Sequence, residues 1–181
     1  MPQISDLPAA ATALAAQPRM AVLVVMLLIA LVIDLRSRRI PNWLTYGGAI
    51  AGLAMSSTGA GPHFLMALGG LLAGLAVLLP LHALRVLGAG DVKLMAAVGT
   101  FLGPVEVLYA ALFTFIAGGI AALVFVAWRR SFGPLAANLR SIVFAGIAGT
   151  PLPRIESVGR MPYGIAICAG TLTWVFLPYL H

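Results

Sequence analysis

The stretch that decides the fold runs from Ile40 to Leu84, IPNWLTYGGAIAGLAMSSTGAGPHFLMALGGLLAGLAVLLPLHAL, 45 residues without one Asp, Glu, Lys or Arg. Hydrocarbon about 30 Å thick is crossed by roughly 20 apolar residues in a helix, so this run holds two spans. A cluster of turn formers, Ser56-Ser57-Thr58-Gly59-Ala60-Gly61-Pro62-His63, divides it. The reading predicts spans over about 43–58 and 64–84.

Outward from that run the pattern continues. Met20 to Ile33 is the body of a first span, about 19–35. A short apolar segment opens at Gly88-Ala-Gly-Asp91 and closes at Gly103-Pro104, predicting a span of about 91–103. Val105 to Trp128 is a fifth span and Met161 to Leu180 a sixth, with Pro162 suited to a first helical turn. Composition agrees: 61% of the residues are apolar, 9% are charged, and the mean hydropathy is +1.04. Soluble domains carry about 25% charged residues, so sixteen charges cannot give this chain a polar skin. Disorder is excluded by the apolar content. A single cysteine excludes a disulfide framework and a four-cysteine zinc site. The expected fold is all-α, a polytopic membrane protein of about six helices in one membrane domain, residues 1–181.

The basic residues orient it. With six spans, Arg36, Arg38, Arg39, Arg85, Lys93, Arg129, Arg130, Arg140, Arg154 and Arg160 share one side, and only Arg19 lies on the other. Loops rich in Lys and Arg face the cytosol. Both termini are therefore expected outside, and the loop of about 129–160 in the cytosol. Within that loop, 138–150 reads as an interfacial segment. Residues 1–18 are expected as an outer segment rather than a cleavable signal, because they carry no Lys or Arg and the cluster of positive charges follows the first apolar run; Ala9 to Ala16 is read as a short helix on the outer surface. The net charge of +6 reports topology and not nucleic acid. No internal repeat supports an inverted-repeat transporter.

Two of the five acids border apolar runs, Asp34 and Asp91. A charge at membrane depth costs about 2.5–3.5 kcal/mol on insertion scales and marks a functional candidate. Asp34 lies 15 residues beyond Arg19, and Asp91 12 residues before Gly103. At 1.5 Å per residue these depths are about 22 and 18 Å from the outer face. Two carboxylates on different helices thus reach a similar level, just inside the cytosolic boundary. Each has a plainer reading. Asp34 is also placed to pair with Arg38 at i,i+4, and Asp91 to cap a helix after a glycine turn. Their matched depth favours chemistry: two carboxylates can share one proton, one acting as base on water and the other as acid. Other hydrolytic machinery is absent from the sequence. There is no His-Glu-x-x-His for zinc and no Gly-x-Ser-x-Gly. Cys168 reads as a core residue, and His63 and His82 as polar interface residues.

These residues resemble a known family. Asp34-Leu-Arg-Ser-Arg-Arg-Ile-Pro41-Asn42 resembles the first motif of the bacterial type IV prepilin peptidases. Gly88-Ala-Gly90-Asp91-Val-Lys93-Leu94 is similar to the second, the Gly-x-Gly-Asp signature shared with presenilin-type intramembrane aspartyl proteases. Met161-Pro162-Tyr163-Gly164 resembles the element that opens their last helix. The resemblance covers about residues 20–181. It implies an aspartic endopeptidase of the bacterial inner membrane, with both termini periplasmic, that cuts prepilins or pseudopilins after their leader at the cytosolic face. Asp34 and Asp91 match the catalytic aspartates, Gly88 and Gly90 the glycines that deliver Asp91, and Lys93 the motif lysine; a lysine there also suits a helix anchored at the interface. Pro41, Asn42, Pro162, Tyr163 and Gly164 are motif support. No metal or other cofactor is expected, and the partners are the substrate and the lipid bilayer, with no nucleic acid. The added cytosolic domain with paired Cys-x-x-Cys motifs found in larger members is missing. The chain resembles the short form that serves tight-adherence (Flp) pili, and methyl transfer is not expected. The alternative from another class is a small proton-coupled transporter using the same acids; a third is an assembly subunit without activity, against which the intact pair argues.

Overall fold

A computed structural model describes residues 17–84, 86–128 and 163–177. The expectations for the segment before Gln17, for Arg85, for the 129–160 loop with its 138–150 piece, and for Met161, Pro162 and the residues after Leu177 lie outside the described residues. Among the described residues six helices follow one another: α1 Pro18–Ser37, α2 Asn42–Ser57, α3 Phe64–Ala83, α4 Ala89–Leu102, α5 Pro104–Trp128 and α6 Gly164–Phe176. No strand occurs among the described residues. The chain is all-helical, and its helices fall where the six apolar segments do.

Three of these helices are long and apolar enough to cross a membrane: α1, α3 and the Pro104–Val124 part of α5. The other three are shorter, with 16, 14 and 13 residues in α2, α4 and α6. At 1.5 Å per residue these measure about 24, 21 and 20 Å. That is less than the hydrocarbon thickness, so the described lengths do not by themselves make six spans.

Local sequence sets the helix ends. α1 and α5 both begin on a proline, where the missing N–H is no loss. α1 ends at Arg38, in the left-handed region at φ 51, whose N–H returns to the Asp34 carbonyl at 2.8 Å. Pro41 is extended and serves as the N-cap of α2, so the chain turns a corner over 38–41. Gly103, at φ +95, gives the tight α4–α5 turn a conformation that side-chain-bearing residues rarely adopt.

Among the described residues two compact units form, 17–118 with 163–177, and 119–128. The second is the C-terminal stretch of α5, with Ile120, Leu123 and Val124 exposed. The first holds the core. α4 lies at its centre, packed by α1, α2, α3 and α6. From Val92 to Phe101 every α4 residue but Lys93 is buried, as expected of a helix that is apolar on nearly all sides. Its approach to α3 is a backbone contact. A Cβ on Gly70 would run into the Gly99 carbonyl, and one on Gly99 into the Gly70 carbonyl. Gly70 and Gly74 have the small-xxx-small spacing that lets apolar helices approach closely.

Several hydroxyls inside the core return to their own helix: Ser56 Oγ donates to the Gly52 carbonyl at 2.9 Å, Thr100 Oγ1 to Ala97 at 2.7 Å and Thr114 Oγ1 to Ala110 at 2.8 Å, whereas Thr171 Oγ1 has no partner among the described residues. Such bonds satisfy polar atoms where no water is at hand. On α1 the buried residues Leu23, Met26, Leu27 and Ala30 form one stripe, and Asp34 continues it. Val25, Leu28, Val32 and Leu35 lie on the exposed face. Helical periodicity therefore turns Asp34 inward.

A paired-carboxylate site where two helices end

Asp34 is 4% exposed. Its Oδ2 accepts the backbone N–H of Gly164 at 2.9 Å. Gly164 opens α6, and the first N–H groups of a helix have no partner within it and carry partial positive charge. The bond supplies both shortages, and one to a charged acceptor contributes about 1.5–3 kcal/mol. A side chain at 164 is not compatible with it: a Cβ there would lie 2.7 Å from Asp34 Oδ2 and 3.0 Å from its Cγ. Arg38 is near enough to act on Asp34 electrostatically, yet the direct hydrogen bond comes from α6.

Asp91 is the third residue of α4 and not its N-cap, yet its side chain does cap the helix, as the plainer reading held. Gly88 holds the N-cap position, and its N–H donates to Asp91 Oδ2 at 3.1 Å. This is one half of a capping box; the reciprocal half cannot form, since glycine has no side-chain oxygen. The two acids are thus held alike. Each gives one oxygen to a glycine N–H at a helix start, and among the described residues nothing hydrogen-bonds the other.

The helices that carry these two acids, α1 and α4, pack on each other. Asp34 is close enough to act electrostatically on Asp91, and Asp91 on the phenol of Tyr163. Tyr163, the residue before α6, lays its ring on Gly118 of α5, where a Cβ would come within 2.8 Å of the ring edge. The first-motif corner completes the surroundings. Ile40 packs on Gly90, whose added Cβ would lie 3.1 Å from the Ile40 Cβ. Asn42, the first residue of α2, accepts a hydrogen bond from Lys93 Nζ at 2.9 Å. The same ammonium stands 5.0 Å from the centroid of the Tyr46 ring. Of the expected supporting residues, only Pro162 lies outside the described ones.

The remaining candidates give the pair no hydrogen bond, although Cys168 is near enough to Asp34 to interact with it electrostatically. Cys168 is buried in α6 and its Sγ donates to the Leu27 carbonyl at 3.1 Å. His82 Nδ1 lies 3.0 Å from the Leu87 carbonyl. No three His, Cys, Asp or Glu gather as metal ligands among the described residues. One contact was not anticipated from the sequence. Trp174 Nε1 donates to Glu106 Oε2 at 2.7 Å, and the indole stacks on Tyr109 with centroids 4.5 Å apart. This fastens the end of α6 to the start of α5. Only the position of Glu106 in the first turn after Gly103-Pro104 hinted that it was placed for a partner.

Helices of this length and apolarity define a helical membrane protein, with two acids placed where α1 stops and α4 starts. The chain belongs to the type IV leader peptidase family: the family model matches residues 21–123, 103 of 181 residues. It is thus a peptidase by family, and both acids lie in the matched region. Gly164 lies outside it, so the bond to Asp34 ties the last helix to the family segment. No curated protein and no solved structure matches the chain.

Proposed function

We propose that the chain is an aspartic endopeptidase that removes the leader from prepilin or pseudopilin substrates at the cytosolic face of the bacterial inner membrane. Asp34 and Asp91 are its catalytic pair. The observation that carries this reading is their common restraint: two carboxylates from different helices, each held by one glycine N–H with its second oxygen unbonded among the described residues. Such a pair activates water directly. One carboxylate takes a proton from the attacking water, while the other, protonated, gives its proton to the carbonyl oxygen or the leaving amine. Backbone hydrogen bonds fix both groups before substrate arrives, which lowers the ordering cost of the reaction.

In this reading all six helices cross or enter the membrane, both termini are periplasmic, and the 36–39 and 129–160 segments are cytosolic. The short α4 supports the arrangement, because a helix of about 21 Å that opens on Gly88 and carries Asp91 in its first turn needs a wet, recessed start. The chain acts as the short, Flp-pilus form, and hydrolysis draws on neither a metal nor S-adenosylmethionine. Co-expression with a candidate prepilin tests this. Leader loss is expected, undiminished by chelator in membranes. An unprocessed prepilin beside a well-accumulated peptidase counts against the assignment, and activity lost to chelator and restored by zinc counts against the aspartic mechanism.

A further inference from the structure

We propose that the Asn42–Lys93 pair is a clasp that sets Asp91 against Asp34, so that Lys93 and Asn42 are positioning residues for the carboxylate pair. The proposal rests on the aspartic reading above for its effect on cleavage, though not for its geometry. Lys93 follows Asp91 by two residues, about 200° around α4, so its side chain leaves the helix on the side away from the carboxylate. It does not serve Asp91 by contact. Its ammonium instead reaches across to α2, donating to Asn42 Oδ1 at 2.9 Å and lying 5.0 Å from the Tyr46 ring centroid. Asn42 and Tyr46 are four residues apart on one helix face, so the cation has both its partners on the first turns of α2.

A second contact grips the same turn of α4. Gly90 lies against Ile40, two residues before Asn42, closely enough that a Cβ at 90 would press on the Ile40 Cβ and carbonyl at 3.1 and 3.3 Å. The first turn of α4 is thereby held at Gly90 and Lys93, on either side of Asp91, by a single corner, Ile40-Pro41-Asn42. That corner is joined covalently to α1 only six residues after Asp34. Beside the direct packing of α1 on α4, one mechanical path from one carboxylate to the other therefore runs from α1 through the corner and across these two contacts into α4. Both partners of Lys93 are neutral, an amide oxygen and an aromatic face. An ammonium donor to an uncharged acceptor is directional without drawing a third carboxylate into the site.

Two measurements test the clasp. In prepilin cleavage, Asn42→Leu and Lys93→Met are each expected to lower kcat about tenfold or more, with KM within about twofold, since small misplacements of a catalytic group carry such losses. The double variant should be no worse than the poorer single one. Asn42→Gln keeps a neutral acceptor oxygen and should recover part of what Asn42→Leu loses. The second measurement needs no substrate. In a Cys168→Ala, Asp34→Cys, Asp91→Cys chain, a short bifunctional thiol reagent should bridge the two introduced cysteines. Adding Asn42→Leu should cut that bridging several-fold. Asn42→Leu leaves the Lys93 cation in place, so a lysine that only anchors its helix at the interface gives unchanged bridging, and that result overturns the clasp whatever the cleavage assay shows. Bridging that falls with Asn42→Leu in the cysteine chain, beside an unmodified chain that cleaves no prepilin, keeps the clasp and overturns the aspartic prepilin-peptidase reading alone.

Discussion

The backbone N–H of Gly164 reaches Oδ2 of Asp34 at 2.9 Å across 130 positions of sequence. One hydrogen bond thereby joins the start of the last helix to the end of the first, at an inward-facing acid. The absence of a side chain at 164 is part of the bond, because the carboxylate occupies the space a Cβ would take.

Gly164→Ala should therefore impair cleavage far more than its one methyl suggests. With Cβ 2.7 Å from Oδ2, either Asp34 or the start of α6 must move. A displacement near 1 Å at a catalytic group carries a loss of about a hundredfold. Gly47→Ala is the matched control, since nothing lies within 4 Å of its Cβ position. Parallel cleavage assays of the two variants check this. Equal activity would show that the Asp34–Gly164 contact is not needed.

Asp34→Asn and Asp91→Asn should each abolish leader removal while the protein still accumulates in the membrane. Both changes keep shape and remove a proton-transferring group. Because the acids act as a unit, the double variant should be no worse than either single one. Immunoblots of prepilin and of the tagged peptidase from the same cells give both readings. Substantial processing by Asp34→Asn would return Asp34 to a boundary residue.

Gly70→Ala and Gly99→Ala should destabilise the chain without touching the site. Each added methyl meets a carbonyl of the facing helix, backbone that cannot turn aside as a side chain can. Overpacking of this kind costs about 1–3 kcal/mol. Thermal unfolding of the detergent-solubilised protein should show a lowered midpoint for either variant.

Topology follows from the distribution of Lys and Arg. On a Cys168→Ala background, single cysteines at position 2 and at the C-terminus should react with a membrane-impermeant thiol reagent from the periplasmic side, and one at Ser37 should not. A labelled Ser37→Cys in intact spheroplasts would invert the arrangement.

Much of this was legible in the linear chain. Charge-free runs gave the helices, because hydrocarbon admits little else. The turn clusters gave their ends, and the placing of Asp34 and Asp91 at the edges of apolar runs marked them as a pair. These are local properties, fixed by the nature and spacing of neighbours. What the linear chain could not supply is which backbone groups satisfy the acids. Counting residues put the carboxylates at one depth, but depth is a single coordinate and leaves the direction of each side chain open. Only the packed helices turn Asp34 inward along the Leu23–Ala30 stripe, bring Gly164 to it from 130 positions away, and send Lys93 to Asn42. Helix-to-helix approach decides these contacts through small residues such as Gly70, Gly99 and Gly164, and a missing side chain shows its purpose only when the atom that fills its space is known.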